Sequence, residues 1–366
     1  MPVHRHTRVW WRPRTDLGTD PAPARAPTRA PSAATAHAPG YGARMLAAYV
    51  TRFGASPDDL LDGLEVGERP EPEPREHWTT VDVRAASLNH HDLWSLRGVG
   101  LRADALPMVL GTDAAGVTPD GHEVVVHGVV GGALGHGVGP DEPRSLLSER
   151  YPGTLAERVA VPTWNLVDKP AGLSFVEAAC VPTAWLTAYT MLFTRGRATP
   201  GQRVLVQGAG GGVATAAVLL GAAAGLEVLV TSRDEARRAR AVELGAAGAF
   251  ESGGRLPGKV DLVLETVGAA TWSHSVRSVR PGGTIVVAGA TSGDAGPAEL
   301  QRLFFLEISV LGVTMGAKED LVHLLAMLDR TGVRPLVDAT YPLTRARDGL
   351  DRLARGAQFG KVVVEV

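Results

Sequence analysis

The chain has 366 residues, 45% of them hydrophobic and 21% charged, with a formal net charge of −2. That is the composition of a globular protein long enough for two domains, and its mixed signs leave no basic field for a nucleic-acid backbone or an anionic membrane surface. One cysteine, Cys180, excludes an intramolecular disulfide and any thiolate cluster for a metal, and fits a reducing cytoplasm; no apolar run has the length of a bilayer span.

Residues 1–44 stand apart, with seven prolines, nine alanines and seven arginines against two aspartates, so this arm carries +5. It shows no helical or strand periodicity, and its arginines precede no apolar stretch of the kind a secretory signal needs, so it reads as a disordered extension. A genuine flexible tail and a natural start at Met45, where patterned sequence begins, both remain open. From Met45 to about Val167 short alternating or apolar runs such as Thr80 to Ala85 and Glu123 to Val126 are separated by glycine and proline turns, which predicts a β-rich domain. Within it, the glycine- and proline-rich stretch from Gly128 to Tyr151, with His136 and Arg144, predicts a loop over a cleft.

From Phe175 strands alternate with longer helical patterns, the mark of βαβ units and a parallel sheet. The strands expected are Val204 to Gln207, Glu227 to Thr231, Asp261 to Glu265, Thr284 to Ala288 and Ile308 to Leu311. Helices fit between them at Val213 to Ala224, Glu235 to Leu244, Thr271 to Val279 and Lys318 to Arg330. After Thr331 short strands resume, and Lys361 to Val364 is expected to return to the first domain. The expectation is an α/β protein in which 45–168 and 332–366 form one domain around a second at 169–331.

Val204-Leu205-Val206-Gln207 runs into Gly208-Ala209-Gly210-Gly211-Gly212-Val213-Ala214, which opens an alanine-rich helix. Strand, glycine turn and helix in that order let a pyrophosphate approach bare main chain, where free N–H groups and the positive helix end attract it. Ala209, Gly210, Gly211, Gly212 and Val213 are the expected contacts. The next strand ends Thr231-Ser232-Arg233 with no acid to hold a ribose diol. A hydroxyl and a guanidinium there suit a 2′-phosphate, which favours NADP(H), with Arg237 one turn later able to close on the same phosphate. Arg238 and Arg240 read as a solvated helix face pairing with Asp234 and Glu235.

Beyond these motifs stand Ala86-Ser87-Leu88-Asn89-His90-His91-Asp92, Pro107 to Gly116, Gly153-Thr154-Leu155-Ala156-Glu157, Pro182 to Tyr189 and Gly360-Lys361-Val362. Together, in this order and spacing, they resemble the medium-chain dehydrogenase/reductase superfamily, and within it the zinc-free quinone oxidoreductase-like branch. The resemblance covers Met45 to Val366. It implies a GroES-like β-rich catalytic domain, a Rossmann doubly wound parallel-sheet domain inserted before the last strands, and a nicotinamide cleft between them. Homodimers are usual in enzymes of this kind, which implies a dimer through the cofactor domain.

Zinc-dependent relatives hold their catalytic metal where this chain has Asn89, Thr112 and Thr183, which is no credible zinc set, so no metal is expected. Without a Lewis acid an unactivated alcohol is hard to oxidise, whereas hydride addition to a quinone, enone or related carbonyl needs less help. An alcohol or enoyl dehydrogenase and a non-catalytic NADPH-binding sensor are the alternatives.

By the same resemblance Asn89 orients substrate or ribose, a turn-forming or core-satisfied asparagine being its plainer reading, and His91 takes the place of a relay hydroxyl and donates a proton. His90 and Thr187 would contact cofactor. An exposed histidine pair and a helix-interior threonine without chemistry are the plainer readings. Val267, Gly268, Ala288 and Gly289 lie at the carboxyl ends of parallel strands, where backbone contacts to cofactor are expected. Phe304 and Phe305 read as a buried helix face or a nicotinamide wall. Lys361 could touch a cofactor phosphate or be an ordinary strand-edge lysine.

Overall fold

A computed structural model describes residues 43–366 except 57, 74, 132–142 and 295–296. The expectations for residues 1–42, and for most of the glycine-rich stretch with His136, fall outside the described residues.

The first domain is built on a seven-stranded sheet. Its central member, Trp78–Ser87, is long enough to serve several neighbours. Its first half pairs with Arg158–Pro162, and its second half lies between Asp113–Val117 and Lys361–Glu365, all antiparallel. Val337–Pro342 closes one edge against Lys361–Glu365, so the last strands belong to this sheet. A three-stranded sheet of Leu64–Pro70, Arg44–Val50 and Met108–Val109 lies beside it. Alternation explains the packing: in Trp78–Ser87, Val81 and Val83 are buried while Arg84 is exposed.

The second domain is a six-stranded, all-parallel sheet in the order Gly248–Phe250, Glu227–Thr231, Arg203–Gln207, Val260–Glu265, Val279–Val287 and Ser309–Gly312. Helices Gly212–Ala223, Glu235–Glu243, Trp272–Ser278 and Leu300–Phe305 connect its strands, and Lys318–Thr331 follows the last of them and leads back to the first domain. The strand expected at Thr284 starts at Val279, because Arg280-Pro281-Gly282 is carried as an exposed irregularity inside one continuous strand rather than ending a helix. Gly248–Phe250 was not expected: at three residues, it is too short to show a period.

Between the sheets runs a helical stretch that the sequence signalled only as a motif. Phe175–Ala179 is an ordinary helix with a capping box of Ser174 and Glu177. Val181–Trp185 and Thr190–Arg195 are wound as wide π-helix on either side of Leu186–Tyr189. Such windings concentrate at functional sites because they displace side chains from their usual face. Trp185, Leu186, Met191 and Leu192 are fully buried here. They join one core that extends from Ala85, Ala115 and Val363 of the first sheet to Val204, Val206 and Leu264 of the second. Each large apolar side chain so buried contributes about 1.5–3 kcal/mol. The two domains are therefore welded along this stretch rather than merely tethered.

Candidate functional site

The glycine turn is built as a site. Gly208 leaves its strand at φ +94, a conformation that favours glycine, and Gly211 precedes the helix in extended conformation with no side-chain cap. The first N–H groups of a twelve-residue helix are thus left without a capping side chain. The glycines differ in their surroundings. A Cβ at Gly210 would lie 2.7 Å from Arg237 Nη1, and one at Gly212 would lie 2.8 Å from Lys361 Cδ and 3.1 Å from Ala184 Cβ. A Cβ at Gly211 would meet nothing within 4 Å. That open space beside bare main chain, with the half-buried Val213 following and Ala209 buried behind, fits a diphosphate.

At the tip of the adjacent strand Ser232 is half-buried and Arg233 exposed. Ser232 Oγ accepts from Asp234 N at 3.2 Å, which starts the following helix. Arg237 departs from the expectation. Its guanidinium lies against Gly210 and donates to the Gly356 carbonyl, so it braces the glycine turn toward the first domain instead of joining Arg233. Arg238 and Arg240 are not simply solvated either. Arg238 donates to Ser232 O at 2.8 Å, and Arg240 stacks 4.1 Å over the Phe359 ring. Gly360 N donates to Gly210 O at 2.9 Å, so the segment entering the last strand is sewn to the turn.

Val267 and Gly268 are at the neighbouring strand end, but their N–H groups do not face outward. Both donate to Glu265 Oε1, at 2.8 and 3.0 Å. Val267 offers a side chain instead, its Cγ2 4.0 Å from where a Cβ of Gly208 would stand. Ala288 and Gly289 are half-buried beside this turn, with Ala288 N donating to Glu265 O at 2.9 Å. Glu265 was not foreseen as a functional residue; an acid closing the apolar run Leu262 to Leu264, followed by Val-Gly and later by Thr271 and Ser275, was the available signal.

The Asn89 cluster is the most interconnected part of the site. Asn89 precedes the helix His90–Leu96 and is 6% exposed. Its Nδ2 donates to Asp113 Oδ2 at 2.8 Å and its Oδ1 accepts from Lys361 Nζ at 2.6 Å. Both ends of the amide are therefore engaged inside the protein. Lys361 is no strand-edge lysine. It sits in a central strand, 3% exposed, and donates also to Leu88 O at 2.8 Å, with Asp113 Oδ2 at 3.5 Å. Its ammonium is turned toward Asn89 and Asp113, while its stem packs on Gly212.

Asn89, Thr112 and Thr183 do converge: Asn89 Nδ2 is 3.4 Å from Thr112 Oγ1, which is 3.1 Å from Thr183 Oγ1. An amide and two hydroxyls bonded to one another, with an ammonium on the amide oxygen, do not fit a zinc ion, which takes thiolate, imidazole or carboxylate. Among the described residues no group of three His, Cys, Asp or Glu side chains is placed to hold a metal.

His91 is half-buried and joined to two groups the sequence did not offer, Glu149 Oε1 at 3.1 Å from Nε2 and Ser148 Oγ at 3.4 Å from Nδ1. It is therefore not part of an idle exposed pair. His90 is exposed, yet the protein packed around its ring, and after it the Lys361 ammonium, hold its pKa below the ordinary histidine value. Thr187 is buried in the short helix between the π-wound segments. Phe304 and Phe305 form neither a buried face nor a wall, being 70% and 81% exposed.

Family models match both halves of this architecture, an alcohol dehydrogenase GroES-like domain at residues 75–171 and a zinc-binding dehydrogenase at 212–330. A crystal structure of an NAD-dependent alcohol dehydrogenase superposes with a TM-score of 0.79 at 32% identity, covering 88% of this chain and all of that one. The chain belongs to the medium-chain dehydrogenase/reductase superfamily. Within that superfamily it is similar to the quinone oxidoreductase of Mus musculus, 26% identical over 80% of this chain and 90% of the relative. It is equally similar to the acryloyl-coenzyme A reductase of Sulfurisphaera tokodaii, 26% identical over 83% of this chain and 96% of the relative. This superfamily member is an oxidoreductase with the GroES-like and Rossmann-like domains of its relatives. Among its described residues no helix is long and apolar enough to cross a membrane.

Proposed function

We propose that the chain is an NADPH-dependent reductase that delivers hydride to a quinone, enone or related carbonyl without a metal ion. The observation that carries the cofactor reading is the open space beside Gly211 at an uncapped helix start. Gly210 to Val213 would hold the diphosphate, and Ser232 and Arg233 the adenosine 2′-phosphate. Val267, Ala288 and Gly289 would flank the nicotinamide by side-chain and main-chain contact, with Thr187 opposite. When bound, the dinucleotide supplies the hydride.

The metal-free reading rests on the Asn89, Thr112 and Thr183 donor set. With no Lewis acid, the acceptor has to be electrophilic already, and the similarity to a quinone oxidoreductase and an acryloyl-coenzyme A reductase agrees. The chain's own part is then positioning and proton supply. Asn89, held from both sides, fixes the start of the His90–Leu96 helix. His91, its ring set by Glu149 and Ser148, is the group that returns a proton to the reduced acceptor, directly or through water. A single buried cysteine agrees with a reducing cytoplasm.

A second copy of the chain is the partner proposed. Among the described residues Ser309–Gly312 is an edge strand of the parallel sheet. Leu300, Phe304, Phe305 and Val310 beside it are 69%, 70%, 81% and 42% exposed. An edge strand meeting its own two-fold copy antiparallel satisfies both.

The deciding experiment is consumption of NADPH and of NADH against quinones, enones and simple alcohols, with metal content measured on the same sample. Turnover of quinones or enones with NADPH and no stoichiometric zinc supports the proposal. Activity confined to alcohols, or tight binding without turnover on any of these, overturns it.

A further inference from the structure

A line of side-chain hydrogen bonds crosses the carboxyl ends of three adjacent parallel strands. Thr231 Oγ1 donates to Gln207 Oε1 at 2.6 Å, Gln207 Nε2 donates to Ser275 Oγ at 2.9 Å, and Ser275 Oγ donates to Glu265 Oε2 at 2.6 Å. All four residues are fully buried. Chemistry fixes the polarity of the line, because an amide oxygen and a carboxylate only accept. His274 agrees with it: Nδ1 lies 3.0 Å from Gln207 Nε2 and Nε2 lies 2.9 Å from Gly254 O, so Nδ1 accepts and Nε2 donates.

The line ends on a carboxylate that also accepts from Thr271 Oγ1 at 2.9 Å, Val267 N and Gly268 N. Four donors on one buried carboxyl group compensate the water it has lost. They also leave the turn one shape. Gly268 is at φ +88, and a Cβ there would stand 2.5 Å from Gly293 O. Val267 O is held by Ser292 N and Ser292 Oγ at 2.8 and 2.7 Å. At the other end of the line, Thr231 directly precedes Ser232 and Arg233.

We infer that Glu265 is a positioning residue, which sets the Val267–Gly268 turn on the nicotinamide side in register with the adenosine-side strand tip at Thr231. It touches neither substrate nor cofactor; it consumes the two N–H groups of the turn so that the Val267 side chain, and not the main chain, faces the ring. The inference rests on the cofactor reading proposed above.

The test compares two probes that differ only in the nicotinamide: NADPH against 2′-phospho-ADP-ribose, and NADH against ADP-ribose, using whichever pair binds more tightly. Calorimetry on the whole protein gives each dissociation constant, and their ratio reports what the nicotinamide half contributes. For Glu265→Gln the ratio should collapse by about tenfold while the nicotinamide-free probe binds as it does to the wild type. Thr271→Val removes one donor without touching the charge, should move the ratio the same way to a smaller extent, and decides the matter alone if Glu265→Gln does not fold. An unchanged ratio, or equal loss of both probes, overturns the inference. So does a wild type in which the nicotinamide adds nothing. A wild type that binds neither probe instead overturns the cofactor reading.

Discussion

Lys361 Nζ and Asn89 Oδ1 meet at 2.6 Å although 272 positions separate them in the chain. Behind them Asp113 is fully buried, with one oxygen, Oδ1, already lacking a protein partner. Lys361→Met keeps the stem and removes the only cation close to that carboxylate among the described residues. It should cost about 3–5 kcal/mol of stability, read as a lowered midpoint in urea unfolding. A variant as stable as the wild type would show that the Lys361 ammonium does not stabilise this cluster.

Gly211 separates stability from binding. Its φ of −76° suits alanine, and the added Cβ meets open space. Gly211→Ala should leave urea stability within about 1 kcal/mol of the wild type. Dinucleotide affinity should fall at least about tenfold, since the methyl occupies the approach of the diphosphate. Undiminished affinity by calorimetry would place the diphosphate elsewhere.

Arg233 tests cofactor choice. Arg233→Asp should weaken NADPH strongly and NADH little or not at all, because a carboxylate repels the 2′-phosphate and accepts from a ribose diol. An unchanged ratio of the two affinities removes Arg233 from that role.

His127 is 1% exposed and bonded through Nε2 to Gly316 O at 2.9 Å, across the two domains. Burial outweighs that bond and holds its pKa below the usual histidine value. In this window the unfolded chain binds the proton more readily, so stability is intact above the unfolded pKa of about 6.5 and declines as pH falls toward the folded pKa. Urea midpoints should therefore drop from about pH 7.5 to about pH 5.5, by no more than about 1.4 kcal/mol per pH unit for this group. His127→Gln, which has no proton to gain, should flatten that slope; an unaltered slope assigns it to other groups, such as His90.

Phe304 and Phe305 test the second copy. Phe304→Glu with Phe305→Glu should leave the fold intact, since both rings are exposed, and convert a dimer to monomer in sedimentation. A wild type that sediments as a monomer refutes the dimer outright.

What the residues revealed in advance is what local pattern controls. Glu227–Thr231 was legible to the residue because four consecutive apolar or β-branched residues, Val228 to Thr231, fall between a glycine turn and a helix cap at Asp234. The glycine turn was legible because its chemistry is its spacing. Long-range pairing was not. Nothing near Lys361 announces Asn89, and nothing near His91 announces Glu149, since those contacts depend on how two sheets are placed. Arg237 shows the limit from the other side: helical spacing put it near Arg233, but a free carbonyl at Gly356 captured its guanidinium. The π-wound segments escaped because Val181 to Leu192 is buried or half-buried at every position, and periodicity cannot distinguish windings when no face is exposed.

The interrupted first sheet has a bearing on biosynthesis. Once Gly312 has been made, every strand of the parallel sheet exists, whereas Trp78–Ser87 still lacks its neighbour Lys361–Glu365. The domain translated first is thus finished last, and until then the nascent chain exposes an unfilled slot beside Ala85, Ala86 and Ser87 that a chaperone, or a neighbouring ribosome's product, could occupy.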